Sequence, residues 1–292
     1  MNRRSIVRAA MAAGLCSIGL FRPAWADDPL GGTLKAIQER KAIVIGYLTD
    51  AYPLSFLGAE KSPVGYSIDL CRLIAQEAGK AIGVEPLDVR YVAVSLAERF
   101  DAVADGRVDI ECGTSTITLS RMQKVDFTAM TFLDGGSLLV RKGSAIHNLA
   151  SLVDESVGVI PGTTTEPALR QALANAYVNA KVVAVKDHAE GMAALEAGKI
   201  GAYASDRALL IGLLVKAKDS DRFEIAPEQF SYEPYGFAVR RNDSAFRLVA
   251  NRALARAYRS ADVLKIFEKW FGSLGSPTPA LLTMYLIQAT PE

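Results

Sequence analysis

Histidine and cysteine are scarce: two and three in 292 residues. Once the leader described below is removed only Cys71 and Cys112 remain, too few for a structural zinc site, which needs four ligands. No Gly-Lys-Ser/Thr phosphate loop and no Gly-x-Ser-x-Gly nucleophile turn occurs, so neither Walker-type phosphate binding nor α/β-hydrolase chemistry is expected. No stretch after residue 26 reaches the 18 or so unbroken apolar residues of a spanning helix. Neither sign of charge prevails, with 33 Lys and Arg against 32 Asp and Glu. The clustered basic face that phosphate contacts require is missing, so nucleic acid is not an expected partner. No cofactor or metal is expected either, and no spanning or kinase segment follows that would suggest a receptor's sensor module.

What is present points to an exported, well-packed chain. Half the residues are hydrophobic and 22% are charged, a composition that excludes disorder and suits one large or two medium α/β domains. Arg3, Arg4, Arg8 and Arg22 lie in the first 26 residues, which hold no acid; the remainder carries 29 basic and 32 acidic residues, net −3. The basic start, the apolar stretch from Ala9 to Phe21 and Ala24-Trp25-Ala26 before Asp27 together read as a secretory signal peptide cut after Ala26. These thirteen residues, apolar but for Ser17, rise about 20 Å as a helix, short of the roughly 30 Å a membrane core requires. Export through the general or the twin-arginine route both fit the Arg3-Arg4 pair. Export also permits a bond between Cys71 and Cys112, although the reading favours buried free thiols.

Strand and helix patterns alternate. A helix is predicted near Gly32 to Arg40, a buried strand over Ala42–Gly46, a loop over Tyr52–Phe56, and a helix through Ile68, Cys71, Ile74 and Ala78 that stops at Gly79. A strand–helix–strand unit then appears twice. Val92-Ala93-Val94 leads to Ser95 with Glu98 three residues on, then to Gly106 and the strand Val108–Ile110. Val183-Ala184-Val185 leads to Asp187 with Glu190 three residues on, then to Gly198 and the strand Ile200–Ala204. A cap residue followed by an acid at that spacing satisfies orphan helix N–H groups. Two such units about ninety residues apart imply an α/β protein of two lobes, each built on a mainly parallel sheet that binds ligands beyond the carboxyl ends of its strands. Further strands are predicted at Val157–Ile160 and Tyr235–Val239, a long helix from Ala245 to Trp270 broken near Ser260, and an extended tail after Gly275.

Three polar clusters follow predicted strand ends. Gly113-Thr114-Ser115-Thr116-Ile117-Thr118 with Arg121 offers hydroxyls and a planar guanidinium, which meets a carboxylate with two parallel bonds; a solvated turn is the alternative. Gly162-Thr163-Thr164-Thr165-Glu166-Pro167 precedes a helix expected to start near Pro167, where backbone N–H groups attract anions; simple capping is the alternative. Ser205-Asp206-Arg207 places an acid where it can take an ammonium or merely cap the next helix. His188 and Tyr52 are lesser candidates. Together these groups describe a site for a zwitterion.

At these residues the chain resembles the extracellular amino-acid-binding proteins of polar amino-acid ABC importers, solute-binding family 3. Gly65-Tyr66-Ser67-Ile68-Asp69-Leu70 is similar to the family's entry to its first helix, though an acid is more usual at Ser67. Thr114-x-Thr116 with Arg121, then Val125-Asp126-Phe127, is similar to its central signature, and Phe267-Glu268-Lys269-Trp270-Phe271 to its closing one. Glu111-Cys112-Gly113, Gly162-Thr163-Thr164 with Glu166, Lys186-Asp187-His188, Asp206-x-Ala208-Leu209-Leu210 and Tyr235-Gly236 resemble the glutamate/aspartate-binding subgroup. The resemblance implies a type II periplasmic-binding-protein fold whose two crossing strands act as a hinge. It implies lobes of residues 27–137 with 236–292 and of residues 138–235, and a monomer in the periplasm that hands an amino acid to the importer's membrane subunits without bond chemistry. Arg121 and Thr116, with the backbone at Thr164, would hold the ligand α-carboxylate, Asp206 and Thr114 its ammonium, and Arg99 and His188 its side-chain end. One departure stands out: the arginine that meets the distal carboxylate in dicarboxylate binders is Leu48 here. A different amino acid, or a dehydratase-like enzyme on the same fold, are the alternatives.

Overall fold

The computed structural model describes residues 30–292, so the expected leader lies outside the described residues. The chain opens with α1 (Gly32–Arg40), β1 (Ala42–Tyr47), the short strands β2 (Asp50–Ala51), β3 (Ser55–Leu57) and β4 (Pro63–Val64), then α2 (Tyr66–Ile82), β5 (Asp88–Ala93), α3 (Arg99–Ala104), β6 (Ile110–Glu111) and β7 (Val125–Phe127). After β8 (Phe132–Asp134) come β9 (Gly136–Arg141), β10 (Ser156–Val159), α4 (Thr165–Asn175), β11 (Lys181–Ala184), α5 (His188–Glu196), β12 (Ala202–Asp206), α6 (Arg207–Lys216) and β13 (Phe223–Ile225). The chain returns through β14 (Glu233–Tyr235) to β15 (Ala238–Arg240), α7 (Ser244–Arg259), α8 (Asp262–Phe271) and α9 (Pro279–Gln288).

Two five-stranded sheets form, ordered β5-β1-β6-β15-β7 and β11-β10-β12-β9-β13. The first three strands of each are parallel, and the last two join antiparallel. The repeated strand–helix–strand unit supplies the parallel part. The sheets are mixed because β8 and β14, paired antiparallel with each other, each feed a strand running the other way. The protein is therefore an α/β structure of two lobes joined by two crossing strands.

Side-chain alternation explains the layers of the second sheet. Leu138, Val140, Val157, Val159, Ala202 and Ala204 face one way and pack on Leu169 and Leu173 of α4. Leu139 and Tyr203 face the other way, onto Met192 and Leu195 of α5 and Leu210 of α6. Covered on both faces, these strands read as apolar runs rather than alternating ones.

Several local expectations change. α2 runs through Gly79, which is buried, and ends at Gly83, whose φ of +69° only glycine adopts readily. Ser55 and Phe56 belong to β3 of a small three-stranded sheet and not to a loop. The Ser95–Glu98 pair forms, at 3.3 and 3.1 Å, but sits ahead of α3, which begins at Arg99. Asp187 caps α5 as expected, accepting from the Glu190 N–H at 2.8 Å. Pro167 is the third residue of α4, where its missing N–H still costs no helical bond. The predicted strand Tyr235–Val239 is two strands, one crossing between lobes and one inside the first sheet. The extended tail is instead α9: Thr278 caps it through the Leu281 N–H at 3.2 Å, and Leu281, Met284 and Tyr285 are buried at helical spacing. Cys71 and Cys112 are bonded, with Cα atoms 6.4 Å apart, which corrects the free-thiol reading. α2 packs on β1 and its Cys71 meets Cys112, the residue just after β6, a meeting across 41 residues that no local pattern carries.

Candidate functional site

The polar clusters converge beyond the carboxyl ends of β6, β10 and β12. One small cavity is lined by Arg99, Thr114, Thr116, Arg121, Thr164, His188 and Asp206, with Leu96, Leu209 and Thr163 among its other walls. Seven of the eight sequence candidates thus share one space. Tyr52 does not line it. Its ring packs edge-on against Phe56 at 4.9 Å, and the Lys216 ammonium lies 4.8 Å above both rings.

The first lobe contributes the loop after β6. That loop runs along β14: Ile117 N–H donates to the Pro234 carbonyl at 2.8 Å and Gly236 N–H to the Ser115 carbonyl at 3.1 Å. This pairing leaves the Thr116 N–H out of the bridge. Arg121 N–H binds Thr118 Oγ1 at 3.2 Å, and its guanidinium Nη1 donates to the Thr116 carbonyl at 2.8 Å. Phe100 lies beside both guanidinium groups, 4.5 Å from Arg99 and 5.1 Å from Arg121. Cation–π attraction lets two like charges share one wall. Arg99 is buried and its Nε donates to Ser115 Oγ at 2.9 Å; Ser115 in turn donates to Glu111 Oε2 at 2.8 Å. Burial pulls the Arg99 group down to about 10, against the opposing charge of Glu111, so it stays a cation at neutral pH. Arg121 is likewise lowered by burial, opposed by Glu233, Glu111 and Asp206. Burial raises Glu111, against the pull of Arg99.

The second lobe contributes helix starts. Each of three consecutive threonines has its own partner: Thr163 Oγ1 donates to the Ile160 carbonyl at 2.7 Å, Thr164 Oγ1 to Glu233 Oε2 at 2.7 Å and Thr165 Oγ1 to Asp206 Oδ1 at 3.0 Å. Asp206 occupies the cap position of α6 yet makes no capping bond. Asp134 of β8 does that work, accepting from the Ala208 N–H at 3.0 Å. The Asp206 carboxylate is thereby free to face the cavity, where it also accepts from the Tyr235 hydroxyl. Desolvation first, and then the nearby Glu233, push Asp206 up to about 6. Burial beside Asp206 raises Asp134 too. His188 Nδ1 lies 2.8 Å from the Tyr203 hydroxyl, and burial lowers its pKa, which keeps the ring neutral.

Leu48 is buried but does not line the cavity; its N–H donates to Ser55 Oγ at 3.0 Å and its side chain packs beside Gly113. Sequence reasoning did not single out Glu233, Asp134 or the Tyr235 hydroxyl as site groups. They sit on the crossing strands, where no cap, turn or periodic signal marks them; only the resemblance of Tyr235-Gly236 touched that segment. Among the described residues no group of three His, Cys, Asp or Glu is placed to hold a metal ion, and no helix is long and apolar enough to cross a membrane.

A buried space with two guanidinium groups, helix starts and a separate carboxylate is suited to a small molecule carrying both charges. The sequence model of bacterial extracellular solute-binding proteins, family 3, matches residues 43–273. The L-glutamate/L-aspartate-binding protein of Pseudomonas aeruginosa is 37% identical over 268 residues, covering 91% of this chain and 87% of that one. The glutamate/aspartate import solute-binding protein of Escherichia coli K12 is 32% identical over 267 residues, covering 91% and 87%. Among solved structures, an ancestral arginine-binding protein bound to glutamine is similar with a TM-score of 0.70 at 29% identity, covering 80% of this chain and 99% of that one.

Proposed function

Because this chain belongs to the bacterial extracellular solute-binding proteins of family 3, we propose that it binds glutamate or aspartate in the cavity between its lobes and delivers it to the membrane subunits of an ABC importer. The observation that carries the reading is the polarity of one cavity: Arg99 and Arg121 line it together with Asp206. The α-carboxylate is held by Arg121, by Thr116 and by the backbone at Thr164, where the N-terminus of α4 adds its positive end. The α-ammonium is held by Asp206 and Thr114. Arg99 meets the distal carboxylate, taking the part that Leu48 cannot play, with His188 beside it as a neutral ring. The relatives' names support the dicarboxylate choice.

The lobes, residues 27–137 with 236–292 and residues 138–235, close on the ligand by bending at the crossing strands. Closure expels water and strengthens each charged bond. The protein works as a monomer in the periplasm, by binding alone. Calorimetry of residues 27–292, stripped of carried-over ligand, against the twenty amino acids tests this. One-to-one binding of glutamate or aspartate, lost in Arg121→Ala, is expected; truncating one side of a buried charged pair costs about 2–5 kcal/mol, or roughly 30-fold and more. Binding of another amino acid instead rejects the dicarboxylate assignment. Turnover of a prephenate-like acid, lost in Asp206→Asn, rejects binding without chemistry.

A further inference from the structure

Glu233 stands opposite Asp134 on the crossing pair and is 1% exposed. Its Oε2 accepts from Thr116 Oγ1 at 2.6 Å and from Thr164 Oγ1 at 2.7 Å, and its Oε1 accepts from Ser231 Oγ at 2.7 Å. Thr116 follows β6 of the first sheet and Thr164 precedes α4 on the second. One carboxylate on the crossing therefore takes a hydroxyl from each lobe. A threonine hydroxyl has a single proton, and a carboxylate only accepts. With both protons directed at Glu233, the 3.2 Å contact between the two hydroxyl oxygens carries none. Each hydroxyl can then offer the cavity only lone pairs, which accept from an ammonium and repel a carboxylate.

Resting on the amino-acid reading above, we propose that Glu233 is a positioning residue that fixes the Thr116 and Thr164 hydroxyls as acceptors for the ligand ammonium, leaving the α-carboxylate to Arg121 and main-chain N–H groups. Thr116 then serves both ends of the ligand, its hydroxyl the ammonium and its free N–H the carboxylate. Glu233 shares the ammonium's pole with Asp206, and Arg121 feels its charge as the first of those opposing burial. Because it bonds to both lobes from the strand that joins them, the same contact sets hydroxyl polarity only when the lobes are closed.

The test compares L-glutamate with glutarate, the same dicarboxylate without the ammonium, by calorimetry on wild type and Glu233→Gln. The amide keeps the shape but donates toward the threonine oxygens, turning their protons to the cavity. Wild type should prefer L-glutamate, and Glu233→Gln should narrow that preference by about tenfold or more, since one hydrogen bond to a charged group is worth about 1.5–3 kcal/mol. A role in packing alone would weaken both ligands equally, so an unchanged preference in a folded Glu233→Gln overturns the proposal while the amino-acid reading stands. If Glu233→Gln does not fold, Thr164→Val removes one of the two acceptors and must narrow the same preference. Wild type that takes neither ligand overturns the amino-acid reading and this proposal with it.

Discussion

The two sheets share one wiring but are fastened differently. In each, a strand arriving from a crossing lies antiparallel in the fourth place: β15 after β14, and β9 after β8. The second sheet is held by apolar clusters on both faces. The first carries in addition the Cys71–Cys112 bond and the returning helices α7 to α9, with the Tyr66 and Tyr285 hydroxyls 2.8 Å apart. Their contributions to the cavity differ in kind as well. The first lobe gives arginines steadied on Phe100, and the second gives residues at helix starts, Thr164, His188 and Asp206. Duplicated topology thus leaves each half free to supply a different charged side chain to the cavity wall, arginines from the first and Asp206 from the second.

Removing the fastening gives the largest effect. A bond closing a 41-residue separation contributes about 4 kcal/mol by loop entropy. Cys71→Ser/Cys112→Ser should therefore unfold at markedly lower denaturant, with amide protection falling first in α2 and β6. Equal loss of protection in β10 and β12 would show that the two lobes are not separately fastened.

Closure comes next. A Cβ on Gly212 of α6 would lie 2.1 Å from the Tyr52 carbonyl oxygen, a contact between elements of different lobes. Overpacking of this kind costs about 1–3 kcal/mol. Gly212→Ala should weaken glutamate binding about 5- to 150-fold, while X-ray scattering records a more open particle. Unchanged affinity would mean that this approach does not belong to the binding form.

Acid then separates the site's two poles. With Asp206 raised to about 6, protonation removes the partner of the ammonium, and affinity for glutamate should fall about tenfold between roughly pH 7 and 5. The ligand-free fold responds with the opposite sign. A carboxyl raised in the folded state contributes stability that is complete below its ordinary value of about 3.9 and lost as pH rises through about 6. Titrations of Asp206→Asn should lose the affinity trend and weaken the stability trend, whose remainder belongs to Asp134 and Glu111, carboxyls that burial also raises; an affinity trend that persists unchanged would assign it to Asp134. The smallest effect is that of Lys216→Met, which removes an ammonium lying over Tyr52 and Phe56. A cation–π contact at a half-exposed site is worth about 0.5–1 kcal/mol, a two- to fivefold loss of affinity.

Much of this was written locally. The buried run of β1, the Asp187 cap of α5, the break between α7 and α8 near Ser260, and the threonine and aspartate clusters at strand ends depend on neighbours within a turn or two, so patterns of spacing reveal them. The tail was misread because three prolines suggested extension, whereas Pro279 is the first residue of a helix capped by Thr278. Asp206 was ambiguous between cap and ligand contact because the residue that relieves it of capping, Asp134, lies 72 positions earlier.

By itself, then, the sequence determined most of the helices and parallel strands, though not α9, together with the two-lobe plan and seven of the residues lining one cavity, since propensity, capping and burial period act over a few residues. Only the tertiary structure decided the antiparallel returns through β8 and β14, the joining of Cys71 to Cys112, the removal of Tyr52 from the cavity wall and the meeting of Glu233 with Thr116 and Thr164. Those depend on contacts between segments far apart in the chain, whose geometry is fixed when the sheets and crossings assemble and leaves no periodic trace in the order of residues.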